Sequence, residues 1–124
     1  MRTHSILVVD DELLIRDLLY DFFRGQGWEI AVAENGEKAL EILGSRQIDL
    51  VLTDIKMPQM DGLALTTEMR ESYPDIPVVL MTGYPSVDSA VTALRCQVVD
   101  YITKPFNIHK LYKVIESKVK EKEG

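Results

Sequence analysis

Five short runs of mainly apolar residues alternate along the chain with stretches in which apolar residues recur every three or four positions. Runs of the first kind are typical of buried β-strands, and the spacing of the second kind predicts amphipathic helices. The predicted strands are residues 6–9, 29–33, 50–53, 78–81 and 100–103. The chain is therefore predicted to alternate strand and helix from end to end.

The helical spacing is clearest in three stretches, in which four apolar residues share one face of the predicted helix. These faces are Ile15, Leu18, Leu19 and Phe22; then Val87, Ala90, Val91 and Leu94; then Ile108, Leu111, Tyr112 and Ile115. Weaker patterns predict two further helices over 37–43 and 63–73. Asn35 and Asn107 are predicted as N-caps of the second and fifth helices, because an asparagine side chain accepts a hydrogen bond from the first helical turn.

Strict alternation of strands and helices indicates a parallel sheet that is covered by helices on both faces. The first, third and fourth strands are almost entirely apolar and are predicted to be central, whereas Glu29 and Asp100 place charges in strands that fit the edges. The predicted fold is α/β, a doubly wound five-stranded parallel sheet in the flavodoxin-like order 2-1-3-4-5 with five helices. We expect one domain over residues 1–124, with 118–124 either a helix end or the start of a linker.

Composition and charge narrow the functional classes. With 46% hydrophobic and 27% charged residues, the chain resembles an ordinary globular domain. Fourteen basic against twenty acidic residues give a net charge of −6, which disfavours direct binding to nucleic acid. No apolar run is long enough to span a membrane, the amino terminus does not resemble a signal peptide, and Cys96 has no partner for an internal disulfide. We therefore expect a cytoplasmic protein that does not bind a membrane.

Polar residues stand at the carboxyl ends of four predicted strands, where ligands bind in this kind of fold. They are Asp10 and Asp11, Asp54, Thr82 and Lys104. Taken singly, each has an ordinary explanation: the aspartates fit turns or helix caps, Thr82 fits the opening of a loop, and Lys104 fits a solvated charge. Taken together, three carboxylates at one sheet edge repel by about 4 kcal/mol per pair at 4 Å in an effective dielectric near 20. This repulsion predicts a positive partner, which we expect to be Mg²⁺ together with the lysine.

A formal charge count suggests what such a site could hold. Three aspartates and one lysine sum to −2, and Mg²⁺ brings the sum to zero. Phosphorylation of one aspartate adds about one negative charge, which leaves the site near −1 with the metal and near −3 without it. Because a carboxylate can act as a nucleophile in phosphoryl transfer, the residues are compatible with an aspartyl phosphate.

The sequence resembles the receiver domain of two-component response regulators, the CheY-like family, from residue 6 to about residue 119. The motifs that carry the resemblance are Val8-Val9-Asp10-Asp11-Glu12, Asp54 followed by Met57-Pro58-Gln59-Met60-Asp61-Gly62, Thr82-Gly83, and Tyr101-Ile102-Thr103-Lys104-Pro105-Phe106.

The resemblance implies a role for each acidic position. Asp54 would accept a phosphoryl group from a sensor histidine kinase or a histidine phosphotransfer protein. Asp11 and Asp54 would bind Mg²⁺ directly, together with the backbone carbonyl of Lys56, and Asp10 would act through water. The chain would be a regulatory phosphoacceptor rather than an enzyme.

The resemblance also implies a conformational switch. Lys104 would contact the phosphoryl oxygens, Thr82 would donate its hydroxyl to them, and the rotamer of Tyr101 would report the loaded state. A downstream effector domain or target protein would read that state, and a homodimer could form on activation. The Lys104-Pro105 peptide bond would be cis.

Four features of the loops lead to further expectations. Gln97 stands where the family commonly has a glycine after the fourth helix, so it either adopts a strained left-handed conformation or forces another helix end. Pro85 either lies in the first turn of the fourth helix or stiffens the loop before it. Gly62 is expected to supply a backbone angle that other residues resist. Lys56 and Tyr84 would flank the path of a water that attacks the aspartyl phosphate, or would be ordinary exposed loop residues.

Two other functions remain open from the sequence. A degenerate receiver could act as a docking module without phosphorylation. A phosphatase with an aspartyl-phosphate intermediate would commonly show Asp-x-Asp after a strand, whereas this chain has Asp54-Ile55-Lys56.

Overall fold

A computed structural model describes residues 3–123 of the chain. The strands are β1 Ser5–Val9, β2 Glu29–Ala33, β3 Leu50–Asp54, β4 Val78–Thr82 and β5 Asp100–Thr103. The helices are α1 Leu13–Gly25, α2 Gly36–Ser45, α3 Gly62–Ser72, α4 Val87–Arg95 and α5 Ile108–Glu123. All five predicted strands are confirmed to within one residue, and β3 and β4 each extend to include a polar residue of the predicted site.

The five strands form one parallel sheet in the order β2-β1-β3-β4-β5, as predicted. The register aligns the carboxyl ends of the strands: Val9 pairs with Thr53, Asp54 with Met81, and Thr82 with Thr103. The last residues of β3 and β4, and those that follow β1 and β5, therefore meet at one edge of the sheet.

Apolar packing on both faces of the sheet explains why the three central strands contain so few polar residues. Every residue of β1, β3 and β4 is buried. One core cluster joins the sheet to α1 and α5, and includes Ile6, Val8, Phe23, Leu52, Leu111 and Ile115. The other joins the sheet to α2, α3 and α4, and includes Leu7, Val9, Leu43, Val51, Leu65, Leu80 and Ala93. Each fully buried side chain of this size contributes about 1.5–3 kcal/mol, so the two clusters hold the strand ends in register.

The predicted N-caps are confirmed. The Asn35 side chain accepts a hydrogen bond from the backbone N–H of Lys38 at 2.9 Å. The Asn107 side chain accepts from the backbone N–H groups of His109 and Lys110 at 3.0 and 3.1 Å. These bonds satisfy donors that the first turn of a helix leaves unpaired, so each helix begins at a defined residue.

Helix α4 forms where the spacing predicts it, but its apolar stripe lies at the surface. Val87 and Leu94 are 80% and 75% exposed, and Val91 is also exposed. The helix packs on the sheet through Ala93, beside the half-buried Val98 and other residues of the same core cluster. Helical spacing thus located the element correctly without revealing which face is buried.

The carboxyl-terminal helix extends further than the predicted stripe. Val119 is buried in the core cluster beneath α1 and α5, and α5 continues to Glu123. Within residues 3–123, none of the helices combines the length and apolar character that a membrane crossing needs.

Gln97 adopts the left-handed conformation, with φ of 60°. Its backbone N–H bonds to the carbonyl of Leu94 and that of Val98 bonds to Ala93, which is the hydrogen-bond pattern that closes a helix on a left-handed residue. The same pattern closes α1 at Gly27, where φ is +86°. Pro85 precedes the N-cap residue Ser86 and so lies in the loop rather than in the first helical turn.

Replacement of Gln97 by glycine is therefore expected to stabilise the protein by about 1 kcal/mol, because glycine adopts the left-handed conformation without the steric penalty of a Cβ. Urea denaturation would measure the change. The matched control is Gln26→Gly at the exposed C-cap of α1, where φ is −90° and glycine brings no such relief. A loss of stability in Gln97→Gly, or an equal gain in the control, would contradict this explanation.

Candidate functional site

A cavity of about 600 Å³ opens at the carboxyl edge of the sheet, where the loops after β1, β3, β4 and β5 converge. Its lining residues are Asp11, Glu12, Ile15, Asp54, Lys56, Gly83, Tyr84, Lys104 and Pro105. The cavity lies between β1 and β3 and their neighbours, which is where strand order reverses and where ligands bind in doubly wound folds.

The ammonium group of Lys104 is the positive centre of the site. Its Nζ lies 2.7 Å from Oδ2 of Asp10, 3.4 Å from Oδ2 of Asp54 and 3.6 Å from Oε1 of Glu12. The backbone N–H of Lys104 donates to the carbonyl of Thr82 at 2.7 Å, which ties the lysine to the end of β4. The peptide bond to Pro105 is cis, as the family resemblance implied.

Asp10 is completely buried, and both of its carboxylate oxygens have partners. Oδ1 accepts from the backbone N–H of Glu12 at 2.9 Å, and Oδ2 accepts from Lys104. The backbone carbonyl of Asp10 also accepts from Nη1 of Arg16 at 2.7 Å. This residue is thus held from three directions at the end of β1.

Asp54 is also buried, but only one of its two carboxylate oxygens accepts a hydrogen bond from the backbone. Its Oδ1 accepts from the backbone N–H of Ile55 at 2.9 Å, whereas its Oδ2 faces Lys104 across a longer distance, 3.4 Å. The first residue of α3 packs tightly behind it, since a Cβ on Gly62 would collide with the backbone carbonyl of Asp54. Gly62 does not have a positive φ, so the expectation of an unusual backbone angle was wrong: glycine is required there for close approach.

Burial sets the electrostatics of the site. Desolvation, reinforced by the negative charge of Asp10, raises the pKa of Asp54 to about 6, although Lys104 and the Ile55 N–H oppose the rise. Burial likewise raises the pKa of Asp10 above its ordinary value. Burial lowers the pKa of Lys104, but its hydrogen bond to Asp10 and the charges of the three acids outweigh that effect and leave the pKa raised. The lysine is therefore an ammonium ion at neutral pH, and Asp54 ionises at a cost.

Three carboxylates converge closely enough to hold a cation. Asp10, Glu12 and Asp54 each offer an oxygen, and these oxygens lie within 4.8 Å of one another. Carboxylate oxygens are hard donors of the kind that Mg²⁺ prefers, so the residues fit the expected metal.

The acids that the structure brings together are not the same set as the acids predicted from the sequence. Asp11 is exposed and lines the cavity, but it does not belong to this close group, in which Glu12 stands beside Asp10 and Asp54. Glu12 belongs to the Val8-Val9-Asp10-Asp11-Glu12 motif, but no role was predicted for it; the available signal was an acid three residues beyond the end of β1. Direct ligation by Asp11 and by the Lys56 carbonyl stays a prediction.

The remaining predicted residues lie around the cavity or behind it. Lys56 and Tyr84 both line the cavity and are exposed, which fits either of the two roles considered for them, and their effect on a phosphoryl lifetime stays a prediction. Thr82 is buried, and its hydroxyl oxygen accepts from the backbone N–H of Tyr84 at 3.0 Å. Tyr101 does not line the cavity; its hydroxyl lies 2.7 Å from Oγ of Ser89 on α4.

Comparison with solved structures finds the same architecture. The chain superimposes on a CheY-like response regulator receiver domain protein from Methanospirillum hungatei with a TM-score of 0.95 and 30% identity, over 98% of both chains. It also matches the response regulator TrrA from Thermotoga maritima, solved in complex with Mg²⁺-BeF, with a TM-score of 0.84 and 37% identity, over 93% of this chain and 98% of that one.

Comparison with curated proteins and family models agrees. The regulatory protein AtoC of Escherichia coli is 44% identical over 113 residues, which are 91% of this chain and 24% of that protein. The chain thus spans about a quarter of the length of such relatives. The model of the response regulator receiver domain matches residues 6–116. The chain therefore belongs to the response regulator receiver domain family, the CheY-like signalling modules of two-component systems.

Proposed function

We propose that Asp54 accepts a phosphoryl group in a Mg²⁺-dependent reaction and that the resulting charge shifts a conformational equilibrium read by a downstream partner. The observation that carries the proposal is the position of Asp54. Asp54 lines an open cavity, and its Oδ2, which is not bonded to the backbone, lies beside one ammonium group and two further acids.

Hydrogen bonding distinguishes Asp54, the proposed phosphoryl acceptor, from its neighbour Asp10. Both oxygens of Asp10 are engaged, one by the Glu12 N–H and one by Lys104 at 2.7 Å, and the residue is fully buried. Asp54 has only Oδ1 bound to a backbone N–H, and it lines the cavity. Oδ2 of Asp54 is therefore the nucleophile in this proposal.

The transfer needs one bond to form and one to break. Oδ2 of Asp54 attacks phosphorus, the P–N bond of a phosphohistidine donor breaks, and the imidazole leaves as the electron pair returns to its nitrogen. Lys104 lies within reach of the new phosphoryl oxygens, and the Thr82 hydroxyl, which now only accepts a bond, has its own proton to donate to them. Asp10, Glu12 and Asp54, together with Asp11 and the Lys56 carbonyl, would hold Mg²⁺, which would supply positive charge to offset the transferred group.

The partners follow from the same proposal. The donor is a sensor histidine kinase or a histidine phosphotransfer protein, because such a donor supplies the labile P–N bond. The output is an effector domain or target protein, in keeping with relatives four times as long whose names describe transcriptional regulation. Thr82 and Tyr101 carry the switch, and pairing with a second copy on activation is one possible readout.

Incubation with Mg²⁺ and acetyl phosphate tests the acceptor. Intact-mass measurement is expected to show a single labile phosphoryl adduct, which is absent without Mg²⁺ and absent in Asp54→Asn. Asp61→Asn is the matched control, since Asp61 lies in the same loop but caps α3, and asparagine caps equally well. An adduct that persists in Asp54→Asn would refute the assignment. No adduct would favour a docking module, and repeated turnover of donor would favour a phosphatase.

Stability should depend on the charge of Asp54 in a definite direction. A carboxyl whose pKa rises from 3.8 to about 6 on folding binds its proton more tightly in the folded state. Stability is therefore lost as pH rises through this window, and the full cost of on the order of 3 kcal/mol is present above it. Asp54→Asn is expected to be more stable than wild type at pH 7.5 without Mg²⁺, and the difference should close near pH 4.

Urea denaturation across this pH range measures the effect, with Asp17→Asn as the control for loss of an exposed acid on α1. Equal stability of Asp54→Asn and wild type at pH 7.5, or a difference that grows as pH falls, would show that ionised Asp54 does not destabilise the folded protein.

A further inference from the structure

A series of hydrogen bonds connects the acceptor site to the surface of α4. The Thr82 hydroxyl oxygen accepts from the backbone N–H of Tyr84, at the start of the loop that leads to α4. That loop ends at Ser86, whose Oγ caps the helix by accepting from the backbone N–H of Ser89 at 3.0 Å. The Ser89 hydroxyl in turn lies 2.7 Å from the hydroxyl of Tyr101 on β5.

Donor counting assigns the direction of the last bond. The Ser86 hydroxyl donates to Oγ of Ser89 at 3.0 Å, and the single Ser89 hydroxyl proton is directed to the backbone carbonyl of Ser86 at 3.1 Å. The remaining lone pair of the Ser89 oxygen then accepts from Tyr101. Tyr101 is thus the donor, and Ser89 is the acceptor that fixes where its ring lies.

We propose that Ser89 is a positioning residue that holds Tyr101 against the first turn of α4 in the unloaded protein and so opposes loading of Asp54. The inference rests on the proposed phosphoacceptor function and identifies a regulatory contact within it. The contact lies within the protein, between the hydroxyl of Ser89 on α4 and the phenol of Tyr101 on β5.

We expect loading of Asp54 to break this bond, because the two residues that would meet the phosphoryl group already have other partners. The Lys104 ammonium bonds Asp10 at 2.7 Å, and the Thr82 hydroxyl oxygen accepts from the backbone N–H of Tyr84 at 3.0 Å. A phosphoryl group on Asp54 presents new acceptor oxygens to both residues. When Thr82 turns to meet them, Tyr84 loses its acceptor and the loop rearranges, which displaces the Ser86 cap and with it the bond between Ser89 and Tyr101.

Linkage gives the sign of the effect. If loading the site breaks a bond that exists only in the unloaded state, then removal of that bond must favour loading by the same factor. A neutral hydrogen bond of this kind corresponds to about a two- to tenfold change in an equilibrium constant.

The experiment is a titration of beryllium fluoride, as a phosphoryl mimic, into the folded protein at saturating Mg²⁺, followed by amide NMR. Ser89→Ala is expected to lower the midpoint about two- to tenfold, and Tyr101→Phe to lower it similarly. In the double variant the second change is expected to have no further effect, and Ser89→Thr, which keeps a hydroxyl, should restore the wild-type midpoint.

Ser117→Ala is the matched control, because Ser117 is an exposed serine whose hydroxyl bonds within α5, away from the site. A midpoint in Ser89→Ala equal to that of the control, or higher, overturns the proposal, as do additive effects in the double variant. If the wild-type protein binds beryllium fluoride in a way that requires Asp54, but Ser89→Ala does not shift the midpoint, then only the proposed role of the Ser89–Tyr101 contact is refuted. Wild-type protein that does not bind the probe refutes the proposed function as well.

Discussion

The site depends on one electrostatic arrangement: an ammonium group held among three carboxylates at the edge of a parallel sheet. Lys104 lies within 4 Å of acidic oxygens from Asp10, Glu12 and Asp54, and the two buried acids both have raised pKa values. One positive charge does not balance three negative ones. The imbalance destabilises the folded protein, and it is the basis of our proposal that the site takes up a divalent cation and, with it, a phosphoryl group.

The rest of the fold explains how such an edge is tolerated. The three strands that carry Asp10, Asp54 and Thr82 are buried along their whole length between two apolar clusters. Their parallel register brings the polar ends together, and the close approach of Gly62 fixes the backbone behind Asp54. Stability gained in the core thus offsets strain that is concentrated at the site, as is common where function conflicts with stability.

Local patterns in the sequence predicted the fold almost completely, because a buried parallel strand and an amphipathic helix each have a distinctive period. They also located Asp54, Thr82 and Lys104 at strand ends. What they missed depends on tertiary packing. The group that Glu12 forms with Asp10 and Asp54 depends on how the chain passes from β1 to α1, and the exposure of Val87 on α4 depends on what else covers the sheet. The need for Gly62 arises because the loop after β3 folds the start of α3 back against the backbone of Asp54 and Ile55.

The most direct test of this account is the carboxyl pKa of Asp54, measured by ¹³C NMR with and without Mg²⁺. The account predicts a value of about 6 in the absence of the metal and a clear decrease when Mg²⁺ is added, because the cation stabilises the ionised form. A value near 3.8 that Mg²⁺ does not change would contradict it, since the acid would then be neither strained nor close to the bound cation.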